Sequence, residues 1–131
     1  MRIGEVAQRS GVSAPTIRFY ETQQILTRAA RSAAGYRVYS DRVLDELAFI
    51  RRAQRLGLTL DETREILSLG RAGKKPCDRV SAICDAHLAE IERRMVELQE
   101  FRQHLTAAKA VAEQGCGSTP AGFCRAIFSG G

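Results

Sequence analysis

Between residues 80 and 112 the chain repeats one spacing that few folds can absorb. Val80, Cys84, His87, Ile91, Leu98, Phe101, Leu105, Ala108 and Ala112 follow alternating steps of four and three, with Arg94 the one seam position that is neither apolar nor His or Cys. Such a stripe lies along one side of a helix. A helix over about residues 79–113 is on the order of 50 Å long at 1.5 Å per residue, and a compact monomer has no use for it. The stripe requires a partner, and antiparallel pairing with a second copy is the simplest, so a homodimer is expected.

The part before this helix carries the charge. Of a formal net charge of +5, residues 1–76 hold 14 Lys and Arg against 8 Asp and Glu, whereas residues 77–131 hold 6 against 7. The first part is a candidate polyanion binder and the second has another task, although basic solvated faces are common. No run approaches a membrane span, and the opening MRIGEVAQRS lacks the basic-then-apolar layout of a secretory signal. A cytoplasmic protein is expected, with four cysteines that read as thiols or metal ligands rather than disulfides.

The opening reads as two short helices. IGEVAQR repeats apolar positions at Ile3, Val6 and Ala7; a Gly turn and a cap at Ser13 follow; APTIRFYE then resumes with Pro15 in the first turn, where amide hydrogens lack partners anyway. This is a helix-turn-helix pattern. Ile17 is assigned to the inward face, and Thr16, Arg18 and Tyr20 to an exposed face suited to phosphate and base-edge contact.

Beyond it, Gly35 and the alternation Tyr36–Arg37–Val38–Tyr39 predict a small β-hairpin or wing lined by Arg28, Arg31 and Arg37, a solvated surface loop being the alternative. Two packing helices are expected next. Ser40 is read as the cap of DRVLDELAFIRRAQRLG, which Gly57 ends, and Thr59 with Glu62 as a capping box before LDETREILSLG. Arg51, Arg52 and Arg55 face solvent and could touch a nucleic-acid backbone. GRAGKKP, residues 70–76, is a break.

The tail raises a metal question. Cys116 and Cys124 have seven residues between them, and Gly115, Gly117, Pro120 and Gly122 make a turn-prone loop able to bring two sulfurs onto one ion; two unrelated thiols are the alternative. Cys77 follows Pro76 and opens the long helix, whose N-terminus favours the negative charge of a thiolate. In an antiparallel dimer the start of one long helix lies beside the end of the other. Cys77 of one subunit can then meet Cys116 and Cys124 of the other, giving three thiolates at each of two sites. Cys84 reads as a small hydrophobe on the seam or an accessory ligand, His87 as a core residue or ligand, and His104 as exposed. Thiolates select soft ions, and the loop has no His, Asp or Glu between its cysteines, which favours Hg, Pb or Cd and leaves zinc possible. Catalysis has no support: there is no C-x-x-C and no local Ser/His/Asp signature.

Taken together, IGEVAQRSGVSAPTIRFYE, GYRVYS, the long helix and the terminal cysteine loop resemble the metal-responsive branch of the MerR family of transcription regulators, over essentially the whole chain. The resemblance implies a mainly α fold: a winged helix-turn-helix DNA-binding domain with connecting helices at 1–76, a long antiparallel coiled-coil dimerisation helix at 77–113, and a metal-binding loop and tail at 114–131. It implies that Thr16, Arg18 and Tyr20 are recognition-helix contacts, and that Tyr36 and Arg37 are wing contacts to the backbone of promoter DNA. It also implies a mechanism: the metal-bound dimer distorts a promoter whose spacer is too long, so that RNA polymerase can use both recognition elements. Members with Cys at the position of Cys77 respond to divalent ions, whereas Ser there accompanies coinage-metal sensing. One departure is QQILTRAA after the second helix, where relatives commonly carry a Gly-Leu-Leu-Pro type of sequence: the Gly and the Pro are missing. An iron–sulfur branch would need four cysteines clustered near the C-terminus, and the drug-sensing branch a large effector domain. The alternative function is a DNA-binding dimer whose cysteines hold a structural zinc and sense nothing.

Overall fold

The structure is a computed structural model that describes residues 1–115 and 117–128. It divides into two units, residues 1–81 and 82–131.

In the first unit, α1 (Ile3–Ser10) and α2 (Ala14–Thr22) form the helix-turn-helix. The turn works because Gly11 adopts φ +74°, a conformation open to glycine without Cβ strain, and its amide closes α1 on the Ala7 carbonyl. The Gly11 carbonyl in turn accepts from Arg51 Nη2 at 3.2 Å. Ser13 caps α2 as expected, accepting from the Thr16 amide at 3.4 Å. The wing is a hairpin of β1 (Ala30–Arg31) and β2 (Arg37–Val38), antiparallel, with Ala30 opposite Val38 and Arg31 opposite Arg37. Gly35, at φ +85°, closes its turn.

Two more helices, α3 (Arg42–Arg55) and α4 (Leu60–Arg71), complete the unit. The capping box at Thr59 and Glu62 forms as the sequence implies. The start of α3 differs from expectation: the cap position is Asp41, no side chain caps the helix, and Ser40 contributes its carbonyl to the Val43 amide. With no side-chain cap, α3 is held by burial of Val43, Leu47, Ile50 and Ala53. Val6, Ile17, Tyr20, Ile25, Leu26 and Tyr39 join this face in one core.

The unusual stretch after α2 has a specific geometry. Ile25 N–H bonds the Tyr20 carbonyl at 2.9 Å and Gln24 N–H the Glu21 carbonyl at 3.0 Å, the paired bonds of a Schellman stop. The same stop closes α3 with Gly57 and α4 with Gly73 in the left-handed position, whereas here that position is Gln24, at φ +60°. Arg64 Nε to the Gln23 carbonyl (2.7 Å) and Arg71 Nη2 to the Ile25 carbonyl (2.6 Å) hold the segment from outside. The missing glycine is thus replaced by a strained residue plus two arginine clamps. Left-handed backbone costs a residue with a Cβ about 1–2 kcal/mol, and glycine returns part of that through its greater unfolded-state entropy. Gln24→Gly is expected to raise stability by about 0.5–1 kcal/mol, read as a higher urea midpoint with an unchanged slope; a lower midpoint would refute the strain.

Helix α5 (Cys77–Glu113) follows, its first residues in the first unit and the rest in the second. Along it Arg93 and Arg94 both bond Glu90 and hold its carboxyl down to about 2, and Arg93 reaches Glu97 at 2.6 Å. Arg94, the exception on the apolar seam, is therefore paired along its own helix. After α5, Ser118 pairs with Cys124 in an antiparallel bridge, and the short α6 (Arg125–Phe128) follows. Among the described residues no helix is long and apolar enough to cross a membrane.

Candidate nucleic-acid interface and thiol positions

Helix α2 buries one face and displays another. Ile17 and Tyr20, three apart, share the buried side. Tyr20 is 7% exposed, and its hydroxyl accepts from Gln54 Nε2 at 3.2 Å. This corrects the expectation that Tyr20 points outward: its spacing from Ile17 places it in the core. Arg18 is exposed, and Thr16, half-buried, shares a 2.8 Å hydrogen bond with Ser13 at the helix start.

The wing stands against this helix through one carboxylate. Glu21, on α2, accepts a hydrogen bond from the Tyr39 hydroxyl and lies 3.9 Å from Arg37 Nη1. The first main-chain residue joins in: the Tyr39 amide bonds the Met1 carbonyl at 2.7 Å, and the Met1 ammonium bonds the Tyr39 carbonyl at 2.8 Å. Burial, then the Glu21 carboxylate, raises the Tyr39 phenol above its usual 10.0. Such a group ionises first in the unfolded chain, so its contribution to stability is complete below pH 10 and declines as pH rises toward the folded value. Tyr39→Phe is expected to flatten that alkaline loss, measured as urea midpoints on either side of pH 10; an equally steep loss in the variant would remove Tyr39 as its source.

Between α2, the wing and the chain start lies a concavity of about 300 Å³, lined by Arg2, Ile3, Arg18, Gly35, Tyr36 and Arg37. Three of six lining residues are arginines. Tyr36 is exposed at the rim, and Arg31 spans the hairpin turn, its Nη1 bonding the Gly35 carbonyl at 2.9 Å. Sequence reasoning missed Arg2 and Glu21, because each meets its partner only through folding; the one local hint was a basic residue immediately before α1.

Cys77 is exposed at the first position of α5 in the first unit; Cys84 is exposed on the same helix in the second. Cys124 is exposed in the terminal hairpin, where Thr119 N–H bonds the Phe123 carbonyl at 2.8 Å and Arg125 N–H the Gly117 carbonyl at 3.3 Å. Cys116 lies outside the described residues. Among the described residues no three His, Cys, Asp or Glu side chains gather into a metal cluster. His87 is half-buried and His104 exposed.

A family model described as a MerR HTH family regulatory protein matches residues 1–69, and one described as MerR, DNA binding, matches residues 44–108. The chain belongs to the MerR family. Among MerR proteins it is 37% identical over 105 residues to heavy metal-dependent transcription regulator 2 of Rhizobium meliloti, covering 80% of this chain and 71% of that one. It is 38% identical over 105 residues to the transcriptional regulator ZntR of Escherichia coli, with 79% and 74% covered. Among solved structures, the transcription regulator PbrR691 of Ralstonia metallidurans in complex with lead(II) superposes with a TM-score of 0.74 at 36% identity, covering 84% of this chain and 86% of that one. This MerR chain is a transcription regulator and not an enzyme, and its similarity runs to metal-responsive members of the family.

Proposed function

We propose that the protein is a dimeric, metal-dependent regulator that grips double-stranded promoter DNA with α2 and the wing. Its effector is a soft divalent ion, Hg, Pb or Cd with zinc possible, held by Cys77, Cys116 and Cys124. The observation that carries the DNA reading is the arginine-lined concavity: Arg18 on the recognition helix and Arg37 on the wing line one surface, the charge a phosphate backbone needs beside a helix sized for the major groove. Thr16, Tyr36 and Arg31 extend that surface.

Dimerisation is supported by the uncovered stripe on α5. Ile91, Leu98, Phe101 and Leu105 are each more than half exposed, a larger apolar run than a solitary helix tolerates in water. Antiparallel pairing of two such helices sets the start of one beside the end of the other, and Cys77 stands at that start. The terminal hairpin supports a shared ion as well, since it returns Cys124 to the segment that begins at Gly117, directly after Cys116. Three thiolates fit a soft ion; when bound, it ties the two ends of the paired helices together. The distortion of the promoter, and its use by RNA polymerase in the cytoplasm, belong to the same reading.

Transcription in vitro from the protein's own promoter, with a panel of metal ions, tests it. Output is expected to rise with a soft divalent ion and not with magnesium or calcium. Unchanged output across the panel, with metal nevertheless bound, would leave a DNA-binding dimer with a structural site.

A further inference from the structure

Arg2 has a role that neither the sequence pattern nor the family match assigns. Its guanidinium carbon lies 4.0 Å from the centroid of the Tyr36 ring, joining the chain start to the tip of the wing. Tyr36 is 52% exposed, so this cation–π pair faces solvent at the rim of the concavity that Arg18 and Arg37 also line. Among the described residues Arg2 and Arg18 have no carboxylate partner, and Arg37 is 3.9 Å from one, Glu21. Three guanidinium groups around one cup with a single anion nearby leave a positive field without an internal counterpart.

We infer that Arg2 is a phosphate-contacting residue of the DNA face and that the Tyr36 ring holds it in position. A guanidinium stacked on a ring engages the ring with its flat face and keeps its N–H donors in its own plane, pointing sideways into solvent. Those donors match the two unesterified oxygens of a phosphodiester. Tyr36 then acts through its ring by fixing Arg2, in addition to any contact its hydroxyl makes. The inference rests on the DNA reading above and deepens it by naming a backbone contact and its support.

Because phosphate contacts carry no sequence information, the probe is a mixed-sequence DNA duplex, titrated with the full chain at several salt concentrations. Each lost phosphate contact lowers the magnitude of the negative slope of log affinity against log salt by about 0.9. Arg2→Ala is expected to lower it by that amount for each subunit engaged, and Arg2→Gln, which keeps the reach without the charge, equally. Tyr36→Leu is expected to lose the same slope and Tyr36→Phe to rescue it. Adding Arg2→Ala to Tyr36→Leu should lower it no further. A parent chain that binds no duplex overturns the DNA reading and this proposal together. A parent that binds, with the slope unchanged in Arg2→Ala, overturns this proposal alone. So does a Tyr36→Phe chain that loses as much as Tyr36→Leu, since the hydroxyl would then be the group that matters.

Discussion

Cys77→Ser is expected to abolish the transcriptional response to a soft divalent ion. The thiol stands exposed at the first position of α5, and replacing it removes one of three thiolates, leaving two sulfurs and water, a far weaker donor set for such an ion. Cys116→Ser and Cys124→Ser should have the same effect. Cys84→Ser should retain the response. Mixed dimers sharpen the test: a subunit carrying Cys77→Ser, paired with one carrying both Cys116→Ser and Cys124→Ser, retains one complete site if ligands are shared between subunits. Metal titration of that heterodimer decides the matter, and absence of tight binding would show that each site is built within one chain.

Glu46→Ala is expected to give a comparably large effect on stability. Glu46 is 5% exposed on α3, and its carboxylate accepts from the Thr27 amide (3.0 Å), the Thr27 hydroxyl (2.9 Å) and Arg71 Nη2 (2.8 Å). One side chain thereby fastens the approach to the wing onto α3 and α4. Removing one partner of a buried pair costs about 3–5 kcal/mol because the other charge is stranded. Here the Arg71 side chain is 27% exposed and keeps its bond to the Ile25 carbonyl, so about 2–3 kcal/mol is expected. Urea unfolding measures it. A loss below about 1 kcal/mol would mean that the buried carboxylate does not fasten these elements.

Both predictions draw on features of different legibility. The helices, the Ser13 cap, the capping box and the hairpin could be read because their causes are local: a period of 3.6, a hydroxyl three residues ahead of an amide, a glycine at a turn. Tyr20 shows the limit of local reading. Its residue type suits DNA contact, but its three-residue spacing from Ile17 puts it on the buried side, and the spacing decides. Arg2 with Tyr36, Glu21 with Tyr39 and Glu46 with Arg71 were not legible at all, since each pair is 18 or more residues apart and meets only through the packing of the four helices α1 to α4 and the wing. The cysteines are a different case, because the proposed thiolate site draws on two subunits, and a property of the pair is not displayed by one chain.

The tie from Glu21 to Tyr39 and Arg37 also bears on kinetics. A hairpin of two-residue strands would ordinarily flutter, and a ligand would have to freeze it at each encounter, slowing capture. Fastened to the recognition helix beforehand, the wing arrives already shaped. Association with a duplex should then be limited by diffusion and long-range attraction, with a rate that falls steeply as salt is added and shows no separate ordering phase.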